Sequence, residues 1–138
     1  DRYSAFTSRV INRGKDIRYG LTGPLYLISD ETEIAADIFK IICREAVRKK
    51  AVLSKELLSF FEDVVALMEH AYDLLLSFSM DKVNELGIKE TDIRKRIDIL
   101  CDKEKKNVLI LAYIIDLFET VFEMKSAVMA IQSLLRFI

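Results

Sequence analysis

The stretch 54-SKELLSFFEDVVALMEHAYDLLLSF-78 decides the fold class. Its apolar residues Leu57, Phe61, Val64, Met68, Ala71, Leu75 and Phe78 recur in alternating steps of three and four. That is the repeat of a helix with one face turned to a core, sustained over six turns. Ser54 stands just before the run, where a hydroxyl can accept from a free N–H of the first turn.

Downstream the same rhythm continues. After Ser79, the positions Val83, Leu86, Glu90, Ile93, Ile97 and Leu100 form a narrow seam with Lys89, Arg94, Lys95 and Arg96 interleaved, so one face of that helix is expected to be wet. The last helix begins near Lys103 and runs to the C-terminus, about 50 Å at 1.5 Å per residue. Its stripe reads Val108, Leu111, Ile115, Phe118, Phe122, Val128, Ile131 and Leu135. Leu109, Ile110, Ile114, Leu117, Val121 and Met129 widen that stripe beyond the reach of one neighbour, which makes this helix central or an oligomer seam. Short connections at 79–82 and 101–104 make the three helices antiparallel neighbours.

Upstream, Gly20, Gly23 and Pro24 interrupt the chain. Before them, Tyr3, Phe6, Val10, Ile17 and Leu21 outline a first helix, weakened by Gly14 at roughly 1 kcal/mol relative to alanine. After them, Asp30 with Glu33 three residues on resembles a capping box opening a helix along Ile34, Ile38, Ile41 and Ala46. Arg44, Arg48, Lys49 and Lys50 suit its C-terminal end. The whole reads as an all-α, antiparallel up-down helical bundle.

Composition agrees with one domain. The chain has 138 residues, 51% hydrophobic and 31% charged, with a mean hydropathy of +0.18. A domain of this size removes about two-thirds of its unfolded surface from water. The longest apolar run, Val108 to Ile115, is far shorter than the ~20 residues of a membrane-spanning helix. The start at Asp1-Arg2, with no methionine or leader pattern, reads as a cut from something longer. With 21 basic against 22 acidic residues, the balance offers no general attraction to nucleic acid or anionic lipid. Cys43 and Cys101 lack metal or redox spacing and are expected as small buried hydrophobes in a reducing compartment.

Little of this points to catalysis. His70 is the lone histidine, and Leu67 stands where a Glu-x-x-His di-iron signature needs glutamate. Neither cysteine has a nucleophile's partners, so a non-enzymatic protein is expected. Asp116, Glu119 and Glu123 do stack carboxylates along one face of the last helix, beside Ala112, Ser126 and Ala130. Such a row either lines a solvated face or holds a divalent or ferric cation with ligands from another helix. Asn12 and Asp16, four apart around Arg13, are a fainter counterpart.

Two stretches resemble the PhoU family of phosphate-uptake regulators, whose two three-helix halves each carry an E/D-x-x-x-D motif on the third helix. Arg9-Val10-Ile11-Asn12-Arg13-Gly14-Lys15-Asp16-Ile17 looks like one copy and Phe118-Glu119-Thr120-Val121-Phe122-Glu123-Met124 like a second. Glu90, Asp92, Ile93 and Ile97 are similar to the family's acidic, Ile-rich second helix. The chain departs from the pattern at Asn12, where the family has an acid, and at Glu123, where it has aspartate.

The resemblance implies that residues 1–28 end a truncated first half with its third helix, 29–53 are a connecting helix, and 54–138 form a complete three-helix half. It implies metal ligation, where present, by Glu119 and Glu123, then Asp16 and Asn12, with Asp116 adjacent. It further implies a cytoplasmic, non-enzymatic regulator that damps phosphate uptake or phosphate-starvation signalling by contacting a transporter component and a sensor kinase; the wide apolar arc of the last helix adds the expectation of a homo-oligomer. Arg44–Lys50 and the face around Arg94 are candidate contacts. Two readings compete: a generic helical scaffold or oligomerisation domain, and a carboxylate metal-binding bundle built on Asp116, Glu119 and Glu123.

Overall fold

A computed structural model describes residues 19–136 together with Arg9. Four helices fill it: α1 (Thr22–Lys49), entered through a 3-10 turn at Tyr19–Leu21, α2 (Lys55–Leu76), α3 (Met80–Lys103) and α4 (Val108–Arg136). No strand occurs among the described residues. Connections of a few residues reverse the chain at 50–54, 77–79 and 104–107, so successive helices run antiparallel.

Local chemistry explains where α2 and α3 begin. Ser54 Oγ accepts from the Leu57 N–H at 3.0 Å, and Ser79 Oγ accepts from the Lys82 N–H at 3.2 Å. Each satisfies one of the orphan donors of a first turn. α1 stops where Lys50 takes a left-handed conformation, φ 47°, while the Lys50 and Ala51 N–H groups close back on the Val47 and Ala46 carbonyls. This is a Schellman closure with lysine where glycine is usual.

α4 is the central helix, lying against α1, α2 and α3, with α1 packed along its length. Its arc of Ile110, Leu111, Ile114, Leu117, Phe118 and Val121 is almost fully buried, which three neighbours make possible. α2 contributes Leu57, Phe60, Val64, Leu67 and Leu74, and α3 contributes Leu86, Ile93 and Leu100. Each such side chain is worth about 1.5–3 kcal/mol when taken from water.

Several boundaries differ from the sequence reading. α1 starts at Thr22, not Asp30, and carries Gly23 and Pro24 in its first turn, where a missing N–H breaks no helical bond. Leu25, Leu27 and Ile28 pack on the core and hold that extra length, so the Asp30/Glu33 pair lies inside the helix, as does the boundary drawn at residue 28. The buried face of α1 is Ile28, Glu31, Ala35, Ile38 and Ile42, while Ile34 is 40% exposed. α4 starts at Val108, because Lys103 finishes α3 and residues 104–107 form the turn. The first helix outlined by Tyr3, Phe6, Val10 and Ile17 lies outside the described residues, except that Arg9 is helical.

Candidate functional site

The acidic row was the strongest chemical signal in the sequence. All three of its residues, Asp116, Glu119 and Glu123, are exposed on α4. Glu119 receives a two-pronged contact from α3: Arg94 Nη1–H donates to Oε1 at 3.1 Å and Nη2–H to Oε2 at 3.4 Å. The same guanidinium lies over the rings of Phe118 (4.8 Å) and Phe122 (5.5 Å), so it is held from below as well. Arg94 thus supplies at Glu119 the positive charge that relieves the stacked carboxylates. Asn12 and Asp16 lie outside the described residues. Among the described residues no three His, Cys, Asp or Glu side chains stand close enough to hold a metal ion.

Glu123 has a different companion. Glu31 of α1 is buried at 9% exposure among the apolar residues that face α4. Burial pushes its carboxyl above the usual range, and the negative charges of Glu123 and then Asp30 push it the same way. Sequence reading missed Glu31 because the Asp30/Glu33 pair looked like a helix start. Its spacing of three from Ile28 and four to Ala35 was the available signal.

A second carboxylate is buried between α3 and α4. Glu90 Oε2 accepts from Lys125 Nζ at 2.5 Å, whereas its Oε1 is buried with no hydrogen-bond partner. Glu90 belongs to the apolar seam read from the sequence, and it stays there because Lys125 crosses from α4 to meet it.

His70 joins α2 to α3. Its Nδ1–H donates to the Ala66 carbonyl at 2.8 Å, and its Nε2 accepts from Lys89 Nζ at 2.6 Å. An ammonium only donates, so this pairing sets the tautomer. Cys43 and Cys101 are exposed, contrary to expectation: each follows the buried residue of its helix, Ile42 or Leu100, and so points off the seam.

A cleft of about 590 Å³ opens between α1 and α2. Ile28 and Thr32 form one wall, Met68, Tyr72 and Leu75 the other, and Met124 of α4 lies between them. Thr32 spends its hydroxyl on the Ile28 carbonyl at 2.7 Å, leaving the wall apolar. Elsewhere the two helices are bridged by Phe39 and Phe61, whose ring centroids are 5.8 Å apart. Glu69 and Asp73 also line the cleft, and neither forms an ion pair among the described residues. Tyr72 is 56% exposed. No spacing rule pointed to this cleft, because its walls come from helices distant in sequence.

No family model matches the chain, and no curated protein or solved structure matches it either.

Proposed function

We propose that this chain is a non-enzymatic regulator resembling PhoU, which modulates phosphate uptake or phosphate-starvation signalling by protein contact in the cytoplasm. The observation that carries the reading is the apolar cleft between α1 and α2 with two unpaired acids on its walls. Its occupant is a partner's amphipathic helix that sets apolar residues against Met68, Tyr72 and Met124 and a lysine or arginine against Glu69 and Asp73. Methionine walls suit such a role, since their flexible side chains adapt to a helix ridge. The fold is compatible, because no helix among the described residues is long and apolar enough to cross a membrane. Transporter component and sensor kinase belong to the proposal through the family resemblance alone, and self-association through the breadth of the last helix's apolar arc in the sequence.

Phosphate uptake tests it. In cells lacking this chain, uptake in phosphate-rich medium should rise. Re-expression of the wild type should restore control, and the double variant Met68→Asp/Tyr72→Glu should not. Unchanged uptake on deletion would remove the regulatory reading. Restoration by the variant would remove the cleft from it.

A further inference from the structure

The overall charge of −1 conceals a separation along the bundle. Because the helices alternate in direction, the α1–α2 and α3–α4 connections meet at one end. Asn107 Nδ2–H donates to the Val52 carbonyl at 3.2 Å, and Ser54 Oγ–H donates to the Glu104 carboxylate. Residues 44–56 and 102–107, which build this end, hold eight lysines and arginines against four acids. Glu45 is already engaged by Arg48 and Lys49, and the hydrogen bond from Arg48 holds its carboxyl below the usual range. Arg44, Lys50, Lys55, Lys103, Lys105 and Lys106 are exposed and form no ion pair among the described residues. Residues 28–36 and 69–85, by contrast, hold seven acids against one lysine.

Apolar side chains stand out among the basic ones at that end. Val47 is 79% exposed, Val52 89% and Val108 58%, in the last turn of α1, the first connection and the first residue of α4. The two connections flank a hollow of about 360 Å³ lined in part by Lys103, Lys105 and Lys106. Protruding aliphatic tips ringed by unpaired ammonium groups match a layer that is anionic outside and apolar beneath.

We infer that this end of the bundle docks on an anionic lipid bilayer, its lysines meeting headgroup phosphates while Val47, Val52 and Val108 enter the interface. The inference is independent of the regulator reading and of the α1–α2 cleft. An acidic protein partner would satisfy the charges but would need pockets of its own for three separate valine tips. A bilayer needs none.

Vesicle flotation tests it, with phosphatidylcholine vesicles containing about 30 mol% phosphatidylglycerol compared with phosphatidylcholine alone. The wild-type protein should float with the anionic vesicles only, and should be released at about 0.5 M salt. Lys105→Glu/Lys106→Glu should weaken partitioning at least tenfold, at roughly 1 kcal/mol for each basic group near the surface. Val52→Ser should weaken it several-fold at unchanged charge, and Lys82→Glu at the opposite end should leave it as it was. Val52, Lys105 and Lys106 are exposed and Lys82 is half-buried, and circular dichroism checks that all the variants fold. Absence of flotation, or equal loss with Lys82→Glu, would overturn the inference. So would wild-type flotation by Val52→Ser together with competition by heparin, which would indicate a soluble polyanion.

Discussion

Lys125→Met is expected to be among the most damaging single changes on the α3–α4 contact, for an electrostatic reason. Glu90 is 6% exposed, and Lys125 Nζ is the hydrogen-bond donor to its carboxylate, at Oε2. Oε1 is unpaired already, so removing the ammonium strands a whole buried charge. Breaking such a pair from one side costs about 3–5 kcal/mol. The lower figure applies, because the Lys125 side chain is 17% exposed and water can reach the vacated position. Loss of the ammonium contact with the Phe122 ring, 4.8 Å away, adds at most ~1 kcal/mol. With a urea slope of roughly 1.5 kcal/mol/M, the unfolding midpoint should fall by about 2 M. The double variant Glu90→Leu/Lys125→Met removes both charges and should return to within about 1 kcal/mol of wild type. If the double variant is as unstable as the single one, the loss is one of packing and the charge argument is refuted.

Four further outcomes follow from local geometry. Ser79→Ala should cost about 1 kcal/mol in thermal unfolding, and Ser54→Ala more, because Ser54 Oγ also meets Glu104. Lys50→Gly should stabilise by about 0.5 kcal/mol in urea titration: relief of the left-handed φ, worth roughly 1–2 kcal/mol, exceeds the added freedom of the unfolded chain, roughly 0.4–1 kcal/mol. Glu31→Gln should raise Tm at pH 7 and leave it unchanged at pH 3. A carboxyl whose folded pKa is raised is neutral in both states at low pH, and its penalty develops as pH rises from the unfolded value through the folded one. Equal effects of Glu31→Gln at both pH values would show that charge is not the cause.

Helix existence was legible because periodicity and sparse turn residues agreed from Ser54 onward, and α2, α3 and α4 follow that reading. Rotation about the helix axis was less so. In α2 the fully buried line is Leu57, Phe60, Val64, Leu67, Ala71 and Leu74, whereas Phe61, Met68 and Leu75 stand beside it, partly exposed. Both lines have helical spacing, and α2 touches both α3 and α4, so its own pattern cannot choose the deeper one. Upstream, Gly23 and Pro24 read as breakers, yet a first turn tolerates both. The packing of Leu25 and Ile28 decided the outcome, and that is a tertiary term.

The candidate sites divide along the same line. Glu119 was visible as a carboxylate on an apolar helix, but its partner Arg94 lies 25 residues away on α3, and only the fold brings them together. Charge shows the converse, a feature that was in the sequence but summed too coarsely. In an antiparallel bundle, alternate connections share an end, so charge has meaning when added over connections of the same parity. Residues 44–56 and 102–107 belong to one parity and 69–85 to the other. A whole-chain sum cancels them, and so discards the quantity that a charged surface would sense within a Debye length of about 8–10 Å. The bundle spans several such lengths, with α4 alone about 43 Å from its 29 residues, so the acidic end does not screen the basic one from a surface in front of it.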